Sequence, residues 1–300
     1  MIAERQRPIA DDLARIETRT DTVKSSAQAE LTYEYDGQSR LWKVTPNGGS
    51  TTEYEYDQNG NRTLADYPSG SDLSLTFDEQ DRTSNTGWLH DADGRRTFNP
   101  LGDDDEYVYD DFGRLTQAIA NTGLEALYSY DGLGRRVTRK LYQDSVLQEE
   151  RRYLYAQGNR LLAVYDGSGT LLQQYVYATG SHTPDAVIVN NTTLYRIAQD
   201  HLGTARMVVK QSDDTVVQRT DYDEWGRIKV LNISGFEGVP FSFAGGLWDL
   251  ETGFVQMGAR WYHPITGRFI TRDPIRFAGG FNLYAYVHND PGNFFDRTGT

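Results

Sequence analysis

The sequence predicts an all-β protein built from stacked antiparallel hairpins, and three observations predict it. The 300-residue chain holds 20 Tyr and 29 Gly against 3 Met, and tyrosine favours strands where glycine favours tight turns. A short pattern recurs, as "YEYDGQSRL" from Tyr33, "YEYDQNGNRT" from Tyr54, "LTFDEQDRT" from Leu75, "YVYDDFGRL" from Tyr107 and "YSYDGLGRRV" from Tyr128. Its second aromatic falls at Tyr35, Tyr56, Phe77, Tyr109, Tyr130, Tyr155 and Tyr177, with several steps of 21 or 22 residues. A fixed period of about 20 residues marks a repeat architecture.

Each position of the unit has a physical reading. In Tyr-x-Tyr both rings fall on one face of a strand, because side chains alternate with period two. The aspartate that follows bonds backbone amides two residues on and starts a turn. The later glycine, Gly113 or Gly134, suits a positive φ. Arginine then opens the return strand, where its guanidinium is expected to stack on a tyrosine across the hairpin. One hairpin cannot bury its own face, but a stack can. Looser copies run from Tyr153 and Tyr175, and a late one, "TDYDEWGRI", from Thr220. Residues 1–30 are expected to hold a degenerate repeat or a flexible segment. Within them, "DDLARIETRTDT" reads as strand; an amphipathic helix with Ile9, Leu13 and Ile16 on one face is the competing reading.

A net charge of −13 is the wrong sign for nucleic acid or anionic membrane. The absence of cysteine removes disulfides, thiolate zinc sites and thiol catalysis. "MIAERQRPIADDL" has no apolar core of a signal peptide, and no run approaches the ~18 apolar residues of a membrane span. Asp91, Asp93, Asp103, Asp104 and Asp105 lack calcium-loop spacing. His90, His182, His201, His263 and His288 lack metal-ligand spacing, and His201 reads as a packing residue. No cofactor fingerprint, nucleophile elbow or metal site is expected.

The Tyr-x-Tyr-Asp-x-x-Gly-Arg unit resembles the YD repeat of RHS proteins, Tc-toxin C subunits and teneurins. "QDHLGTARMV" from Gln199 and "YDEWGRI" from Tyr222 resemble that family's later strands and turns. Phe243 to Asp296, "FAGGLWDLETGFVQMGARWYHPITGRFITRDPIRFAGGFNLYAYVHNDPGNFFD", resembles the RHS-associated core along its length. The resemblance implies a curved ribbon or partial, cocoon-like shell, with repeats over 31–235 and a core domain over 236–300 curled inward as a plug. It also implies a C-terminal piece of a longer bacterial toxin. Such a toxin would be cytoplasmic before export, then secreted or delivered by a secretion apparatus. Its shell would enclose a toxin cargo absent here, with the rest of the shell and a secretion-system or immunity protein as partners.

The family's core carries two Asp-Pro-x-Gly motifs whose aspartates cut the chain just after the second. By resemblance the pair here is Asp273 and Asp296, with Arg272 orienting or neutralising the first and the scissile bond near Gly299 and Thr300. A carboxyl pair suits general acid–base work. The motifs depart from the pattern: Arg276 replaces Gly in the first, and Arg297 replaces Pro in the second. Arg276 is expected to disfavour the glycine geometry. Turn capping by both aspartates, a carbohydrate- or cell-surface-binding repeat module, and an inactive truncated remnant stay open beside single-turnover cleavage in cis.

Overall fold

The structure is a computed structural model and describes residues 9–20, 22–23, 26–27, 30–101 and 105–300. Asp103, Asp104 and the first eight residues lie outside these. Among the described residues helix is confined to four three-residue 3-10 turns. A seven-stranded sheet runs from Ile9–Ala10 to Leu73–Ser74, and a fourteen-stranded sheet from Leu89–His90 to Ile228–Ile233. Both are antiparallel and open, with no strand out of chain order. A four-stranded sheet, Leu247–Trp248 to Arg268–Phe269, packs against them.

The stretch from Ile9 to Arg19 is a hairpin, strands Ile9–Ala10 and Ile16–Arg19, not a helix. Asp11 forms its turn as the other units do. In the Asp110 turn the aspartate N–H donates to Arg114 O at 3.0 Å, and the Gly113 N–H returns to Asp110 O at 2.9 Å. Asp110 Oδ1 accepts the amides of Phe112 and Arg114, while Oδ2 accepts Arg114 Nε at 2.6 Å. The same bonds recur at Asp36, Asp78 and Asp131. Burial pushes the Asp110 carboxyl up, but the Arg114 side chain and the amides outweigh it and hold it below the usual carboxylate value.

The arginine does not stack across its own hairpin, as expected from sequence, but on the next unit. Arg40 lies 4.6 Å from the Tyr56 ring centroid and donates Nη1 to Asp57 O at 3.0 Å. Tyr56 answers with a hydroxyl bond to Leu41 O at 2.6 Å. Arg114 reaches Tyr130 and Asp131 O in the same way. The hairpin's own aspartate has already aligned the guanidinium with the adjacent strand pair, so the nearest free ring is the following unit's.

The residue after this arginine points inward. It is Leu41, Leu115 and Leu161 in three units, all at most 2% exposed. In two others it is Arg96 and Arg136, and in the Asp57 turn, where Asn61 stands in the arginine's place, it is Arg62; all three are at most 4% exposed. Each of these arginines reaches the C-terminal segment. Arg62 donates to Ile265 O at 2.5 Å, Arg96 lies 2.9 Å from His263 Nδ1, and Arg136 pairs with Asp249 at 3.2 Å. Aromatic faces offset their burial: Trp225 sits 4.4 Å from Arg62, and Trp88 4.4 Å from Arg96.

One turn tip fastens the two large sheets together. Phe112 and Leu133 at turn tips are 84% and 76% exposed, but Trp225 at the equivalent place is fully buried among Tyr33, Leu41 and Tyr54 of the seven-stranded sheet. Arg227, the arginine of this turn, lies over Tyr67 instead of Asp223. Asp223 Oδ2 then has no hydrogen-bond partner among the described residues. Burial, then Glu224, raise the Asp223 carboxyl to about 6.

Two outcomes follow. Arg114→Met lowers stability by about 1–3 kcal/mol in urea unfolding, whereas Phe112→Ser at the tip of the same turn changes it by less than about 0.5 kcal/mol. Asp223 holds its proton more tightly folded than unfolded, so its contribution to stability is full below about pH 4 and falls as pH rises through about 6. Asp223→Asn therefore raises the melting temperature by several degrees at pH 7.5, and the gain vanishes near pH 4.

Candidate functional site

Asp273 and Asp296 meet through a cation that sequence reasoning missed. Arg260 opens the strand Arg260–His263 and is 3% exposed. Its Nη2 lies 3.0 Å from Asp273 Oδ2 and 3.3 Å from Asp296 Oδ2. Nη1 donates to Leu283 O at 3.1 Å and Nε to Gly299 O at 2.7 Å. The Phe269 ring centroid sits 3.5 Å from the guanidinium carbon. The two carboxylates are thus joined by a guanidinium that also holds the carbonyl of the expected cleavage site. A charged residue within the mostly buried, mostly apolar stretch "VQMGARWY" is the signal that marks it.

Each aspartate divides its oxygens between two tasks. Asp273 Oδ1 caps a turn by accepting the Ile275 amide at 2.9 Å, while Oδ2 faces Arg260. Asp296 Oδ1 accepts the amides of Thr298 and Gly299 at 3.1 and 2.8 Å, while Oδ2 faces Arg260. Turn capping and a role at a shared site are therefore compatible in both residues.

Arg272 is not the orienting cation. Its Nη2 donates to Gln80 Oε1 at 2.6 Å and its Nε to Tyr284 Oη at 3.2 Å, and Tyr284 donates to Gly94 O. It braces the segment against two repeat turns. The expectation for Arg276 also fails: it takes the glycine-like geometry, at φ 56°. A left-handed non-glycine residue costs roughly 1–2 kcal/mol, which the surrounding turn absorbs.

The terminal segment crosses the strand pair around Met257 and Arg260 at backbone contact. The Ala259 N–H donates to Thr298 O at 2.9 Å. A Cβ on Gly258 would lie 2.1 Å from Thr298 O, and one on Gly299 2.2 Å from Met257 O. Both glycines have positive φ. Gly299 is buried and Thr300 exposed. Asp273, Arg260 and Thr298 form part of one wall of a cavity of about 1320 Å³, and the turn glycines Gly113, Gly134 and Gly158 part of the other. Arg160, Arg276 and Arg297 also line it, without a carboxylate partner among the described residues. Chemically, two carboxylates beside a carbonyl held by a cation suit proton transfer to and from a polarised peptide bond.

Removing Arg260 strands two partly buried carboxylates. Arg260→Met is expected to cost about 3–5 kcal/mol in chemical denaturation, and adding Asp273→Asn with Asp296→Asn recovers part of that loss.

A family model described as Teneurin YD-shell matches residues 9–292. Teneurin-3 of Mus musculus is 29% identical over 94% of this chain and 11% of its own length. Toxin protein Tse5 of Pseudomonas aeruginosa is 26% identical over 92% of this chain and 26% of its own. The chain therefore spans about a tenth of the teneurin and a quarter of Tse5. Among solved structures, TcdB2-TccC3 superimposes with a TM-score of 0.77 at 18% identity, covering 99% of this chain and 17% of that one. The Photorhabdus luminescens Tc holotoxin pore gives a TM-score of 0.78 at 19% identity, covering 99% and 17%. These likenesses bear out the resemblance read from the repeats and the all-β shell-type fold. With the match running through both large sheets and into the C-terminal segment, the chain belongs to the teneurin YD-shell family.

Proposed function

We propose that this chain is a length of YD-repeat shell that encloses a C-terminal polypeptide and cuts its own backbone, once, at or just after Gly299–Thr300. The observation that supports this most is the convergence of Asp273, Asp296 and the Gly299 carbonyl on one guanidinium at the cavity wall. In this reading residues 31–235 are shell wall, 1–30 a degenerate further unit, and 236–300 the core that carries the site inward. A Tse5-like or Tc-like setting makes the enclosed segment a toxin delivered from a bacterium, with the remaining shell and an immunity or secretion protein as partners.

For cleavage at Gly299–Thr300, one carboxylate takes a proton from water as the oxygen bonds to the Gly299 carbonyl carbon. Negative charge develops on the Gly299 oxygen, where Arg260 Nε already donates. The other carboxyl, protonated, gives its proton to the Thr300 nitrogen as the C–N bond breaks. The products are a Gly299 carboxylate and a free Thr300 amine. Nothing else is consumed.

A binding module displaying its tyrosines is less well supported, because none of the 20 tyrosines is exposed. An inactive remnant loses one of its arguments, since Arg276 adopts the backbone that glycine would take.

Intact mass spectrometry on the chain extended past Thr300 by a short tag tests the reading. The parent loses the tag at one bond, and Asp273→Asn and Asp296→Asn each keep it. An uncut parent would leave a shell segment without the protease.

A further inference from the structure

The segment that carries Asp296 is gripped from the repeat side by two histidines that the cleavage chemistry does not use. His201, in the turn Asp200–Thr204, places Nε2 2.8 Å from the Gly292 carbonyl oxygen. His182, beyond the irregular turn after Tyr177, stacks on Phe295, with ring centroids 4.9 Å apart and planes 15° apart. The same ring places Nε2 3.0 Å from the Ala244 carbonyl oxygen. A carbonyl only accepts, so Nε2 carries the proton in both histidines.

The slot for His182 is lined by residues outside the tail. A Cβ on Gly203 would come within 2.4 Å of the ring, and one on Gly245 within 2.5 Å. Both glycines have positive φ. The ring is thus held by the repeat sheet and the loop at Ala244, and it offers one face to the tail. Phe295 is still 42% exposed and its neighbour Phe294 58%, so apolar burial alone does not hold this stretch down. The Gly292 bond and the Phe295 stack bracket four residues, Gly292 to Phe295, and Asp296 follows directly.

We propose that His182 and His201 are positioning residues: a two-point clasp that fixes the tail so that Asp296 meets Arg260. The clasp stands on its own geometry, and only its consequence for cleavage rests on the self-processing reading. It should also sense pH. Burial pushes the His182 ring below its usual value; the Ala244 carbonyl opposes this, Arg297 on the tail adds to it, and Asp200 opposes it. The docked tail therefore favours the neutral ring. The clasp is complete above about pH 6.5 and loosens as pH falls through the lowered value.

Hydrogen exchange read by mass spectrometry on the whole chain tests the clasp without requiring cleavage. At pH 7.5, His182→Ala, His201→Ala and Phe295→Ala each lower protection of residues 292–299 at least tenfold, while strand Ala205–Lys210 keeps its protection. His182→Phe, which keeps a stacking ring, retains tail protection at pH 7.5. As pH is lowered from 7.5, after correction for intrinsic exchange, it retains protection that the parent loses. In the tagged chain, cleavage slows in the same variants and by the same order. Unchanged tail protection in all three alanine variants overturns the proposal. So does a parent whose tail protection, corrected for intrinsic exchange, falls no sooner than that of His182→Phe as pH is lowered from 7.5. Phe295→Ala leaves the repeat side intact, so it decides the question even where a histidine variant misfolds. If no chain cleaves, the self-processing reading falls, and the exchange data still decide the clasp.

Discussion

The structure depends on where a repeat arginine of the Arg40 kind spends its five donors. Two hold the aspartate of its own turn, one holds the next unit's carbonyl, and the face of the group covers the next unit's tyrosine. Surface ion pairs alone contribute little. Here the pair is one part of a joint that orders a turn, registers two hairpins and caps a ring, so the same bonds serve local conformation and long-range stacking together. A hairpin that cannot stand alone is stabilised by the neighbour it helps to place.

That economy explains how the remainder of the molecule is held. The inward position after the turn's arginine, or after Asn61 in the Asp57 turn, is leucine at Leu41, Leu115 and Leu161, and arginine at Arg62, Arg96 and Arg136, which grip the C-terminal segment. These buried cations are matched by carbonyls, an imidazole, aromatic faces and one buried carboxylate, Asp249. The arrangement suits a chain whose surface charge is strongly acidic. Trp225 completes the assembly by turning a normally exposed tip into the contact that joins the two large sheets.

The repeat, its strand direction and its turn chemistry were legible because they are local: Tyr-x-Tyr, Asp and Gly each act within about five residues. What crosses units was not. The partner of Arg40 is Tyr56 rather than Tyr35 because hairpin geometry, not spacing, decides which ring is free. The site was legible in part. Asp273 and Asp296 were found through motif resemblance, but Arg260 lies in a different strand and Arg272 was chosen for its adjacency in sequence. The sequence does show the basic residue one place beyond the turn, in "GRR" at Arg96 and Arg136 and in "GNR" at Arg62. Its meaning depended on the alternation that sends Arg96, Arg136 and Arg62 inward while Arg95 and Arg135 stay with their turns.

Because turn arginines such as Arg40 and Arg114 reach forward and the second tyrosine of the next unit reaches back, the joint between units has a direction. One edge of such a hairpin offers a guanidinium, and the other offers a ring and a carbonyl. Any two whole units therefore fit in the order in which the chain makes them, and reversed neighbours do not. A ribbon of this kind can gain or lose complete units by duplication or deletion without altering a single junction. A change of half a unit leaves two like edges facing each other. Length becomes a freely variable property of such a wall, counted in hairpins, while the closing segment needs only the few inward arginines that receive it.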